Sequence, residues 1–344
     1  MTATLQTTVP MTHKLHEGRH EPILDADLPI VDAHHHLFVR PALRYLVDDY
    51  ARDVGSGHRI VASVYVETRA FARSEGPELL RPLGEVEFAN GVGAMCDAGA
   101  YGPCRTCAAI VGYADMRLGD AVAGLLDRAV AAAPDRFRGV RQPCLEPRDP
   151  AAYRYSPSPP PRGILQSAQF RQAFRHLAQR ELSFDAAVMH HQLPDVAALA
   201  DEFPDTAIVL NHLGIAEGLG RDVAGRAEVF GEWRNELREL GRRANVTCKI
   251  GGLGMPFWGL GLEDRSEPTG FRELADAWRP YIETAIEAFG ADRCMASSNY
   301  PVDGRACGFV PLWNALKHVL RIYTDTERSA IFHGTAARVY RIAL

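Results

Sequence analysis

Three consecutive histidines, His34, His35 and His36, follow the short run Ile30-Val31-Asp32-Ala33. Residues two apart on a strand share a face, so His34 and His36 can aim two imidazoles at one point while His35 turns to the other side. Such a pair is half a metal site. Other polar residues recur just beyond apolar segments: Glu67, Arg141, His190 and His191, His212, Lys249, and Asn299 with Asp303. Imidazoles, a carboxylate and cations suit the activation of water for attack on a carbonyl, with stabilisation of the oxygen that becomes negative. Arg141 offers a two-pronged match to a substrate carboxylate and Lys249 a point charge, although Arg141 paired with Glu67 inside the fold is the alternative. Tyr65, Tyr155 and Tyr300 are candidates for contacts to substrate oxygens.

Positioning these groups together requires one sheet. Short apolar segments are predicted as strands at 30–34, 60–66, 108–113, 138–142, 184–189, 206–211, 245–250 and 293–297. Helical patterns at 79–95, 119–133, 167–180, 192–202, 228–242, 270–289, 309–323 and 325–338 alternate with them. Strands alternating with helices imply parallel βα units, and eight units imply closure into a (β/α)8 TIM barrel, whose strand carboxyl ends form one site. A doubly wound sheet would want a Gly-x-Gly-x-x-Gly turn after the first strand, which this chain lacks. Pro194 suits a helix first turn, and Asp325 is the expected cap of the last helix. The proline-rich segment 146–166 reads as an extended loop on the active face. The segment 251–270, with Met255, Phe257 and Trp258 among glycines, reads as a pocket lid or a partner-subunit contact. Residues 1–27 are expected to be a flexible arm and 28–344 a single barrel domain.

The 344 residues carry a formal charge of -5. That balance gives no basis for wrapping nucleic acid. Seven cysteines, an odd number, fit reduced thiols in a cytoplasmic protein, and the lone Cys104/Cys107 pair lacks the second half of a zinc site. No apolar run suggests a membrane span. The expected partner is a small molecule, with a homo-oligomer through 251–262 as a further expectation.

Several motifs, in this order, carry a resemblance: Val31-Asp32-Ala33-His34-His35-His36, Ser63-Val64-Tyr65-Val66-Glu67, Arg138-Gly139-Val140-Arg141, Val209-Leu210-Asn211-His212-Leu213-Gly214, Cys248-Lys249-Ile250-Gly251-Gly252, and Ser298-Asn299-Tyr300-Pro301-Val302-Asp303. From Leu28 to Leu344 the chain resembles the amidohydrolase superfamily, in the branch that includes 2-pyrone-4,6-dicarboxylate lactonase and fuconolactonase. The resemblance implies that His34, His36, His191 and His212 are metal ligands, His190 being the alternative fifth-strand histidine. One divalent ion, with Zn²⁺ favoured by imidazole ligands, is the implied cofactor, and metal-independent relatives leave the other route open. His191 and His212 are also candidate catalytic groups. Where relatives carry an eighth-strand aspartate this chain has Asn299, whose amide cannot act as a base, so the base is assigned to Asp303 four residues on. The expected activity is hydrolysis of a small carboxylated or sugar-derived lactone. A metal-dependent non-oxidative decarboxylase and a catalytically silent binding barrel are the alternatives.

Overall fold

The computed structural model describes residues 21–41, 43–155, 159–265, 267 and 269–344. Eight strands form one sheet: β1 (Ile30–His35), β2 (Ile60–Val66), β3 (Arg105–Tyr113), β4 (Phe137–Arg141), β5 (Ser183–Ala186), β6 (Ile208–Leu210), β7 (Val246–Ile250) and β8 (Cys294–Ala296). Neighbours in the chain are neighbours in the sheet, and their pairings are parallel. Strands covered on both faces need apolar residues throughout, which explains why Ile60-Val61-Ala62-Ser63-Val64-Tyr65-Val66 shows no polar alternation. The seam between first and last strands closes beyond β8, where Asn299 N donates to His34 O at 2.8 Å and His36 N to Tyr300 O at 2.7 Å. This is the (β/α)8 TIM barrel expected.

The helices lie around it: α1 (Val47–Val54), α2 (Leu83–Asp97), α3 (Ala123–Ala132), α4 (Ala168–Ala178), α5 (Leu193–Glu202), α6 (Val223–Leu240), α7 (Phe271–Phe289) and α8 (Phe309–Leu320). The last helical pattern is divided into α9 (Asp325–Ser329) and α10 (Thr335–Val339) by a π-helical turn at Ala330–Gly334. Thr324, rather than Asp325, caps α9, exchanging bonds with Glu327 in a capping box. Pro194 occupies the first turn of α5 as expected. One unit escaped the periodicity: two strands of three residues, Phe38–Arg40 and Leu43–Tyr45, pair antiparallel ahead of α1.

Two apolar layers hold these parts. A large one fills the space between strands and helices, and a smaller one inside the barrel includes Val31, Ala33, Val64, Val111, Val209 and Met295. Tyr340 and Ile342, following α10, join the inner layer and plug it. Residues 21–27, expected within a flexible arm, are instead tied to α8 and α9. Leu24 N donates to Asn314, Lys317 Nζ donates to the carbonyls of Leu24 and Asp25, and Arg328 pairs with Asp25. The remainder of that arm lies outside the described residues. No helix among the described residues is long and apolar enough to cross a membrane.

Candidate active site

The end of β1 departs from simple alternation in a way that matters. Its register against β2 shifts between Asp32 and His35. As a result Asp32 and His35, three residues apart, both face Tyr50 of α1: the Tyr50 hydroxyl donates to Asp32 at 2.9 Å, and its ring stacks on His35 at 4.1 Å. His35 therefore braces the scaffold, as expected, with Ser63 on its Nε2. Asp32 also receives the Ser298 amide and hydroxyl, pinning the first strand to the segment after β8. Burial pushes its carboxyl up to about 6 against those bonds.

His34 and His36 converge, their Nε2 atoms 3.1 Å apart. His36 Nδ1 lies 2.8 Å from the Val66 carbonyl, which can only accept, so Nδ1 holds the proton and neutral His36 presents a lone pair on Nε2. Arg141 Nη1, which can only donate, faces His34 Nε2 at 3.3 Å. His34 Nδ1 is buried without a partner, so its Nε2 is the atom shared between the His36 lone pair and the Arg141 donor. His212 packs on His34 with ring centroids 4.5 Å apart. Burial holds all three imidazoles below their usual range, His212 at about 3, with the charge of Arg141 adding to the effect at each and that of Lys249 at His34 and His212. The cluster is neutral at neutral pH.

The donor chemistry suits half of a zinc shell. Two nitrogens on one tetrahedral Zn²⁺ stand roughly 3.3 Å apart at the usual bond lengths, close to the separation of this pair. Among the described residues, however, no set of three His, Cys, Asp or Glu side chains converges to hold a metal. The fifth-strand histidines account for the difference. His190 turns outward, with Nε2 3.4 Å from Glu232 of α6 and Nδ1 accepting from the Glu217 amide. His191 lies 3.9 Å from Glu217. Both line a cavity with Arg148 and Glu232 rather than contacting His34, His36 or His212.

Other expectations are corrected by burial. Arg141 gives Nε to Glu67 Oε1 at 2.8 Å and Nη2 to Glu67 O at 2.7 Å, leaving only Nη1 toward the histidines. Of its two expected roles the internal ion pair is the one formed. Lys249 and Asp185 are fully buried and 2.7 Å apart, so the lysine charge is spent inside the barrel rather than on a substrate. Tyr340 and Asn211 complete the shell of Asp185. Sequence reading missed Asp185, although a lone carboxylate in the buried strand Ser-Phe-Asp-Ala demands a partner. Tyr65 donates to Glu85 and Tyr300 to the Cys307 carbonyl, and both are fully buried, so neither hydroxyl is free for substrate.

Asn299 and Asp303 do meet. The Asn299 backbone takes φ 52°, turning its amide so that Nδ2 donates to Asp303 Oδ1 at 2.7 Å, while Gly254 N donates to Oδ2 at 3.0 Å. Burial still pushes the Asp303 carboxyl up to about 7. The loop after β7 links this carboxylate to the imidazoles: Gly254 contacts Asp303, and Gly252, at φ 74°, lies where any Cβ would collide with His212 Nδ1. The loops above are packed on one another. Tyr155 meets the Phe257 ring edge-on, and the Arg305 guanidinium lies over the Tyr155 ring. Met255, Phe257 and Trp258 are buried in their own chain, Trp258 against Trp233 and Tyr281, so they offer no exposed surface to a partner subunit. The described part of the segment 146–166, which leaves out 156–158, is less extended than expected, with 3-10 turns at Pro150–Tyr155 and Ile164–Gln166.

A closed parallel barrel with a buried imidazole, guanidinium and carboxylate cluster at the carboxyl ends of its strands defines a barrel enzyme. The amidohydrolase family model matches residues 31–342, and the chain belongs to that family. A protein of Sinorhizobium fredii described as uncharacterized is 33% identical over 340 residues, covering 92% of this chain and all of that one. An L-fucono-1,5-lactonase of Burkholderia multivorans is 26% identical over 337 residues, covering 91% of this chain and 96% of its own. Among solved structures, a zinc-bound amidohydrolase of Burkholderia multivorans superposes with a TM-score of 0.67 at 24% identity, covering 91% of this chain and 99% of that one.

Proposed function

We propose that this enzyme hydrolyses the ester bond of a small lactone, sugar-derived or carboxylated. The observation that carries the proposal is the Asp303 carboxyl, held by Asn299 and Gly254 and poised at about 7. A base with that affinity is partly ionised at neutral pH and still basic enough to take a proton from water. Asp303 receives that proton as the water oxygen bonds to the lactone carbonyl carbon. Arg141 Nη1, the donor facing the histidines, stabilises the developing oxyanion. The ring C–O bond then breaks, and the leaving alkoxide recovers a proton from Asp303 to give a hydroxy acid. Asn299 orients the carboxylate without competing for the proton. His34 and His36 would hold a divalent ion, with His212 beside them, and such an ion would supply Lewis-acid polarisation of the carbonyl. The L-fucono-1,5-lactonase relative supports the lactone as substrate class.

The test is a lactone panel read by acid release, comparing the wild type with Asp303→Asn. Removing a general base costs about 10²–10⁴-fold in rate. Unchanged turnover in the variant would exclude Asp303 as base, and release of carbon dioxide from a carboxylic-acid panel would select decarboxylation instead.

A further inference from the structure

A second concavity opens beyond the ends of β2 and β3. Its volume is about 510 Å³, and Arg69, Arg81 and Tyr113 line it together with Leu79, Leu118 and Leu125. Arg69 is held there by unusual means. Its backbone takes φ 62°, a region that non-glycine residues seldom enter without a structural or functional cause. Buried Glu85 imposes it. One carboxylate oxygen accepts from the Tyr65 hydroxyl and from the amide and hydroxyl of Thr68, while the other accepts from the Arg69 amide at 3.0 Å. The turn so fixed lays the guanidinium over the Tyr113 ring, 5.1 Å from its centroid.

The charges in this pocket are unequally committed. Asp115 is taken by Arg117, through two nitrogens, and by Gln142. Glu85 is taken by the turn. Among the described residues neither Arg69 nor Arg81 donates a side-chain hydrogen bond or forms an ion pair, and only Glu78 remains as an uncommitted acid on the wall. The apolar part of the lining includes Leu118, 41% exposed, unusual for leucine. A preset guanidinium on an aromatic face, a second guanidinium and an exposed leucine backed by Leu79 and buried Leu125 recognise one kind of molecule.

We propose that this pocket binds a small carboxylic acid with an apolar ring or chain, its carboxylate on Arg69 and Arg81 and its body against the leucines. The site is separate from the reaction assigned to Asp303: no histidine, Asn299 or Asp303 lines it. Binding and catalysis can therefore fail independently.

Benzoate and its neutral isostere benzamide are the probes, titrated into the full chain by calorimetry. Benzoate binds saturably, and benzamide at least tenfold more weakly. Arg69→Met and Arg81→Met each weaken benzoate about tenfold, in keeping with loss of a charge-assisted bond. Leu118→Asp, at the exposed rim, does the same by repulsion. Circular dichroism melts confirm that each variant is folded. The proposal is overturned if benzoate shows no saturable binding, if benzamide binds as tightly, or if the three folded variants bind like the wild type.

Discussion

Asp303→Asn should change how stability depends on pH as well as how fast the enzyme turns over. The folded carboxyl titrates at about 7 against an ordinary 3.8, because burial opposes its charge more than Asn299 and Gly254 favour it. The sign follows from proton binding. Between the two values the folded state holds a proton that the unfolded state has released, so folding is progressively penalised as pH rises through that window. The contribution is fully favourable below about pH 4 and fully lost above about pH 7. Integrating one such group from pH 5 to pH 8 gives a loss of roughly 2.6 kcal/mol in the wild type. The amide introduced by the substitution cannot ionise, so the variant lacks this loss. One donor, Asn299 Nδ2 or Gly254 N, would lose its acceptor, costing about 1–3 kcal/mol at every pH. Urea unfolding of both proteins at pH 5 and pH 8 isolates the term, since the constant penalty cancels in the difference. The gap between variant and wild type should move in favour of the variant by about 2–3 kcal/mol on going to pH 8. Parallel changes in the two proteins would refute the raised carboxyl and with it the reason for choosing Asp303 as base.

The same carboxyl should place the acidic limb of kcat/KM near pH 7, measured by acid release with a stopped-flow indicator; a limb near 4 would mean an ordinary exposed acid. Glu67→Gln strands the Arg141 charge in the interior and should destabilise the protein by about 3–5 kcal/mol in urea titrations. Lys249→Met leaves Asp185 unpaired in the same way, with a cost of similar size that appears as a lowered melting temperature. Gly252→Ala drives a methyl group into His212 at a positive φ, and lactone turnover should fall at least tenfold while circular dichroism still reports a folded barrel.

The barrel was legible in the order of residues alone. Runs such as Ile60–Val66 and Val246–Ile250 are apolar because parallel strands are covered on both faces, and helical periodicity between them leaves little freedom in topology. The same order separated His34 and His36 from His35, a local consequence of strand geometry. What it left open was which polar residues spend their valence on one another. Arg141 on Glu67 and Lys249 on Asp185 join residues 74 and 64 positions apart, and the need to neutralise charge away from water commits the lysine inside the barrel and leaves Arg141 only Nη1 toward the histidines. The fifth-strand histidines show the same limit. Their doublet invites inclusion in the cluster, yet the strand ends at Ala186 and the chain turns before reaching them, so Glu232 and Glu217 claim them instead. Asn299 and Asp303 were joined in expectation only by nearness in sequence. The left-handed backbone at Asn299 and the Gly254 amide, brought from another loop, give Asp303 its orientation, and burial beneath those loops gives it its raised proton affinity. Local chemistry is written in the order of residues; the pairing of buried charges depends on which strands and loops the closed barrel brings together.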